Sequence, residues 1–133
     1  MQIQPYLFFD GRCEEAAEFY KTALGATVTM VMRYKESPEP HEPAMPPEKI
    51  LHMALRVGGT TFFASDGHCK GQPVFQGFAL SLTVSTDAEA QRLFAAITDG
   101  GQIHMPLGKT FFSSSFGMAA DRFGVVWMVM VGQ

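Results

Sequence analysis

The residues best able to do chemistry lie on strand-like stretches. In Ile50 to Val57 (ILHMALRV), alternation sends Leu51, Met53, Leu55 and Val57 to one face and Ile50, His52, Ala54 and Arg56 to the other. A neutral imidazole at His52 suits a general base or a donor that orients a ligand. The plainer reading is a hydrogen-bonded wall histidine. Arg56 could hold an anionic group of the same ligand, or serve as an ordinary strand-end arginine. Near the start, QIQPYLFF alternates likewise. Ile3, Leu7 and Phe9 take the oily side, leaving Gln4, Tyr6 and Phe8 on the other. Phe78 to Val84 buries Phe78, Leu80, Leu82 and Val84 and offers Ala79, Ser81 and Thr83. Aromatic walls with sparse polar groups are the chemistry of a small-molecule pocket, and His52 is its candidate catalytic group.

Other chemical groupings are weaker. His41, His68 and His104 form no HxH or HExxH pair, and adjacent His68 and Cys69 would need further ligands to hold a soft metal. Ser113-Ser114-Ser115 lacks the GxSxG elbow of a serine nucleophile and reads as polar strand. Asp121 and Arg122 suit a turn that they pair or cap. Trp127 reads as an interior anchor, and the methionines, Met128 and Met130 included, as core or as an adaptable apolar wall.

The elements that position these groups come in two similar copies. Tyr6 to Phe9 is a strand broken by Asp10-Gly11. Ala16, Phe19, Tyr20 and Ala23 then fall on one helical face, Glu14, Glu15, Glu18 and Lys21 on the other, and Gly25 ends the helix. About 75 residues later, Phe78 to Val84 is again a strand. Thr86 to Glu89 has capping-box spacing, Ala90, Leu93, Phe94 and Ile97 repeat the helical face, and Gly100-Gly101 stops it. Three strands follow each helix: Thr27 to Tyr34, Ile50 to Val57 and Thr60 to Ser65 in the first copy, and Gln102 to Leu107, Thr110 to Ser115 and Val125 to Val131 in the second. Glu36 to Glu48, with five of the eight prolines, is a loop, either a solvated connection or a flap. The expected organisation is one domain over 1–133, with module one about 1–66, a linker at 67–77 and module two about 78–133. A strand, helix and three strands cannot cover their own sheet, so eight strands should combine with helices outside and a concave surface inside.

Composition narrows the partners. In 133 residues, 47% are hydrophobic, with 12 Phe and 9 Met, enough for a core. A net charge of −3 with ten scattered Lys and Arg excludes a nucleic-acid patch. No apolar run approaches the roughly 18 residues of a spanning helix, and no signal peptide is legible, so no membrane partner and a cytoplasmic location are expected. Two cysteines without CxxC spacing, Cys13 and Cys69, read as free thiols.

The strand with its DG turn, EAAEFY and LGA, the repeated module, HMALRVGG, FASD and the closing FGMAADRFGVVWMV together resemble PhnB-like proteins. These belong to the vicinal-oxygen-chelate superfamily of glyoxalases, bleomycin-resistance proteins and extradiol dioxygenases, and their branch carries the label 3-demethylubiquinone methyltransferase. The chain has no glycine-rich strand-to-helix loop of the kind a nucleotide-like methyl donor uses. The resemblance implies an α+β fold in which two repeated βαβββ modules form a curved mixed β-sheet cup with helices outside. It also implies a homodimer, and a histidine at the position of His52. Glyoxalase-like enzymes of the superfamily hold one divalent metal through His or Glu at positions matching Gln4, roughly Phe63, Ala79 and Met128 here. Only Gln4 of these can coordinate, so no metal cofactor is expected. Two readings follow. One is a small-molecule binding protein whose cup presents Gln4, Tyr6, Phe8, His52, Arg56, Ser81 and Met128. The other is a metal-dependent lyase, isomerase or dioxygenase-type enzyme with a rearranged site around His52.

Overall fold

The structure, a computed structural model, describes residues 1–38, 45–67 and 73–132. His41, His68 and Cys69 lie outside the described residues, as do parts of the proline-rich loop and of the expected linker. The chain divides into two compact units, Met1–Pro73 and Val74–Gln133. The first contains β1 (Tyr6–Phe8), α1 (Cys13–Leu24), β2 (Thr27–Arg33), a single 3₁₀ turn (Tyr34–Glu36), β3 (Ile50–Val57) and β4 (Thr60–Ser65). The second contains β5 (Leu80–Val84), α2 (Asp87–Thr98), β6 (Gln102–Gly108), β7 (Phe116–Ala120) and β8 (Val126–Val131). The sheet orders are β1-β4-β3-β2 and β5-β8-β7-β6. In each, the strand before the helix pairs parallel with the last strand and the remaining pairs are antiparallel. Each unit is therefore βαβββ, and the class is α+β.

Each helix covers one face of its own sheet. In α1, Cys13, Ala16, Ala17, Tyr20 and Ala23 are buried while Glu14, Glu15, Glu18 and Lys21 face water. Tyr20 meets Phe62 edge-on at 6.1 Å and Phe9 at 6.4 Å, beside the buried strand residues Leu7, Met53, Leu55 and Ala64. Phe19 is only half-buried. In α2, Ala90, Leu93, Phe94 and Ile97 are buried, and Ala90 and Phe94 pack with Ala119, Val129 and Val131 of the sheet. Gly25 ends α1 in the left-handed conformation, where a side chain would be strained.

The helices start by different devices. The Thr86 hydroxyl caps α2 by accepting from the Glu89 amide at 3.2 Å. Arg12, at the equivalent point of α1, supplies no side-chain cap. The acceptor comes instead from the end of β4. Asp66, 1% exposed, takes the amides of Gly11 (2.7 Å) and Cys13 (2.9 Å) on Oδ1 and that of Ile50 (2.9 Å) on Oδ2. One carboxylate thus ties the Asp10-Gly11 turn, the start of α1 and the start of β3, satisfying orphan donors that would otherwise be costly. In the second unit the buried Asp121 accepts from the amides of Phe123 and Val125 and from Trp127 Nε1. That is the turn-capping role expected of it, and it anchors Trp127, which is 3% exposed.

Several expectations need correction. Thr110 to Ser115 is not a strand. Two hydroxyls there bond nearby backbone, Thr110 Oγ1 accepting from the amides of Phe112 and Ser113 and Ser113 Oγ donating to the Ser115 carbonyl, while Ser113 Oγ also reaches the Val131 carbonyl of β8. Such local bonds favour turns over ladders, and the strand begins only at Phe116. Ile3 is 97% exposed and Phe78 46% exposed, because the ladders start after them, at Tyr6 and Leu80. Tyr34 leaves β2 and is buried in the 3₁₀ turn. Ile50 is fully buried rather than on the open face. A register shift between Met32 and Arg33 and the bond of its amide to Asp66 turn the start of β3 inward. A second shift lies between Val28 and Met30. Strand β6 likewise carries two, between Ile103 and Met105 and between Met105 and Gly108.

Two outcomes follow. Asp66→Ala should lower unfolding stability by at least about 3 kcal/mol in urea titration, since three amides lose one acceptor, and Asp66→Asn, which keeps one carbonyl oxygen, by less. Loss of under about 0.5 kcal/mol in Asp66→Ala would remove its anchoring role. Asp87 accepts from the hydroxyls of Ser114 and Ser115 at 2.6 and 2.7 Å, and these bonds hold its carboxyl below the usual range. The contribution of a depressed carboxyl is complete above its ordinary pKa and is lost as pH falls through the folded-state value. Amide exchange over 109–115, corrected for intrinsic rates, should therefore accelerate below about pH 4. In Asp87→Ala it should be fast at neutral pH already.

Candidate functional site

The face of the first sheet away from α1 carries a cluster of rings. Strand register builds it directly. Tyr6 is the cross-strand partner of Phe63, Phe63 of Ala54 and Ala54 of Met30, while Phe8 partners Ser65 and His52 partners Met32. Partners share a face, so Tyr6, Phe8, His52 and Phe63 converge from three strands. Tyr6 stacks on Phe8 at 5.0 Å and lies 5.8 Å from Phe63. His52 lies 5.3 Å from Phe63 and 5.5 Å from Tyr6. The group stays accessible, with Tyr6 40% exposed and Phe8, His52 and Phe63 half-buried.

One hydrogen bond gives this surface direction. The Tyr6 hydroxyl and His52 Nδ1 are 2.8 Å apart. Burial raises the Tyr6 pKa. The phenol thus stays protonated at neutral pH. In the tautomer protonated on Nε2, the phenol donates to Nδ1 and the ring keeps an N–H to offer a ligand. His52 then presents a donor, with the rings beside it as apolar contact area.

The other expected site residues are less closely gathered. Gln4 is half-buried, two residues ahead of β1. Arg56 is exposed and pairs across the sheet with Thr27 and Thr61. It lies four residues from His52 on the same strand, a separation of roughly 13 Å. Ser81 and Met128 are cross-strand partners in the second unit, on its sheet's face away from α2. Phe63, considered in the sequence only as a position lacking metal-binding chemistry, is central to the ring cluster. Its pairing with Tyr6 depends on parallel β1–β4 register, which no local pattern reveals.

The donor set does not fit the divalent metal of the glyoxalase-like enzymes. In the first unit, Phe63 fills its position with a phenyl ring packed on Tyr6 and His52, leaving Gln4 as the one oxygen donor. In the second, Ala79 and Met128 offer a methyl and a thioether, poor partners for a hard dication. Among the described residues, no three His, Cys, Asp or Glu side chains gather. Cys13 is no nucleophile either. It is free and buried, and burial first, then the neighbouring Asp66 and Glu14 carboxylates, push its thiol far above the range where a thiolate forms. No helix among the described residues is long and apolar enough to cross a membrane.

Comparison with known proteins matches residues 1–130 to the family described as 3-demethylubiquinone-9 3-methyltransferase. Protein YjdN of Escherichia coli K12 is 31% identical over 98% of this chain and 95% of its own. The crystal structure of PA1353 from Pseudomonas aeruginosa is 45% identical with a TM-score of 0.88, covering 100% of this chain and 98% of that one. A Bacillus cereus structure titled a putative 3-demethylubiquinone-9 3-methyltransferase, PhnB protein, is 27% identical with a TM-score of 0.83, covering 99% and 100%. The fold is also that of a glyoxylase/bleomycin resistance protein/dioxygenase domain from Frankia sp. EAN1pec, TM-score 0.68 at 15% identity over 100% and 98% of the chains.

The Tyr6–His52 bond has a spectroscopic consequence. Nitrogen-15 shifts should place the neutral His52 proton on Nε2 in the wild type, and Tyr6→Phe should mix the two tautomers with little change in melting temperature. An unchanged tautomer in Tyr6→Phe would show that the phenol does not set it.

Proposed function

Since the chain belongs to the 3-demethylubiquinone-9 3-methyltransferase-described family, a PhnB-like branch of the vicinal-oxygen-chelate superfamily, we propose that it binds a small organic molecule with a planar apolar body, without the superfamily's divalent metal. The observation that carries this reading is the accessible cluster of Tyr6, Phe8 and Phe63 around a histidine hydrogen-bonded to Tyr6 through Nδ1. Flat rings give contact area for stacking, worth about 0.5–1.5 kcal/mol per aromatic pair beyond burial. The His52 Nε2 donor would orient an acceptor on the ligand, with Gln4 at the rim and Arg56 further along the strand for an extended or anionic tail. Ser81 and Met128 are proposed to line the corresponding face of the second unit, and the working form is proposed to be a homodimer in the cytoplasm.

The chain's own bonding gives the methyltransferase description of the family little support. Nucleotide-like cofactors are commonly received at glycine-rich turns and helix N-termini. Here the Gly11 amide before α1 and the first amide of α1, that of Cys13, are taken by Asp66, and one opening α2 by Thr86. The alternative, a lyase, isomerase or dioxygenase-type enzyme working through a metal near His52, has that imidazole in its favour, but among the described residues no group of three His, Cys, Asp or Glu gathers to join it.

A thermal-shift screen of planar aromatic acids, amides and phenols tests the reading, run beside elemental analysis of protein purified without chelators. Hits should raise the wild-type melting temperature, and Phe63→Ala and His52→Ala should each weaken a hit about tenfold or more. Hits unaffected by both substitutions would move the binding surface elsewhere. Near-stoichiometric zinc, nickel, manganese or iron lost on His52→Ala would overturn the metal-free part.

A further inference from the structure

On the second unit's sheet, away from α2, three methionines fall in one row. Met105 of β6 is the cross-strand partner of Met118 of β7, and Met118 is the partner of Met128 of β8. Ser81 of β5 ends the row. The opposite face of β7 and β8 carries Ala119, Trp127 and Val129, all buried, so the three thioethers stand outside the core that α2 covers. Met105 is 47% exposed, and Met118 and Met128 are half-buried.

We propose that Met105, Met118 and Met128 form a thioether site for a soft monovalent cation, Cu(I) or the redox-inert Ag(I). Directly opposed residues of antiparallel strands have Cα atoms about 4.5–5.5 Å apart, so the outer two are roughly 10 Å apart with the third between them. Methionine has three side-chain torsions below the backbone and a polarizable sulfur, enough reach for the outer thioethers to lean over Met118. The register shifts on both sides of Met105 increase local twist and can re-aim the edge side chain toward the row. Neutral sulfur donors with no carboxylate or imidazole in the row select a soft cation and give a hard dication nothing. The site lies wholly within the second unit, on the face where Ser81 and Met128 are proposed to line a ligand, and it takes no residue from the ring cluster around His52.

The test uses the full-length Cys69→Ser protein, which removes a competing thiol while Cys13 stays buried, in chloride-free buffer with silver nitrate. Native mass spectrometry should show one Ag(I) per chain, and zinc sulfate should add none. Of the nine methionines, the methyl carbons of these three should shift together on titration. Met118→Leu, a volume-conserving change, should weaken binding at least about tenfold, and Met105→Leu on the exposed edge strand should do so even if Met118→Leu folds poorly. Unchanged affinity in both variants, shifts confined to other methionine methyls, or no bound silver would overturn the proposal.

Discussion

A single buried carboxylate holds the first unit together. Asp66 sits where three segments distant in sequence meet, and its two oxygens take the amides of Gly11, Cys13 and Ile50. The turn it braces has an unusual backbone, with both Asp10 and Gly11 at positive φ, 47° and 99°. A non-glycine residue there is uncommon without compensation. The carboxylate supplies the helix cap that Arg12 does not and fixes where β3 begins. Because β3 carries His52 and β4 carries Phe63, the same anchor sets the register on which the ring cluster depends.

The second unit meets the same need by other means. Its helix has a local hydroxyl cap, and its buried carboxylate, Asp121, serves the β7–β8 turn and the indole of Trp127. The two units share an element order but place their polar anchors at different points of it. Their open faces differ in kind as well. The first is aromatic with a directed imidazole, while the second is rich in thioethers. A repeated architecture therefore presents two unlike surfaces, each fixed by pairing within its own sheet.

Much of this was legible in the sequence because periodicity is local. The helical faces, the glycine stop at Gly25, the Thr86 cap and the β3–β4 hairpin all follow from spacing within a dozen residues. What escaped depends on distant partners. Asp66 lies in the recognisable FASD stretch, yet nothing nearby says that it caps a helix 53 residues earlier. Ile50 turned inward through that bond and a register shift. Thr110 to Ser115 looked like a polar strand because alternation cannot show that hydroxyls will bond their own backbone. The candidate site was half legible. Tyr6, Phe8 and His52 could be assigned a face by alternation, whereas their meeting with Phe63 required parallel pairing between strands over 50 residues apart.

The register shifts along β2 and β6 bear on how these edges would meet a neighbouring molecule. Each of these strands ends its sheet's order and exposes apolar side chains, Met30 and Val31 in one and Ile103 and Met105 in the other. A long, flat strand of that composition would template further strands from neighbouring molecules. The irregularities break the run of evenly spaced amides and carbonyls, and Pro106 removes one donor from β6 altogether. Straightening either strand, even by changes that improve its pairing at home, would restore an evenly spaced edge on which a strand of a neighbouring molecule could pair.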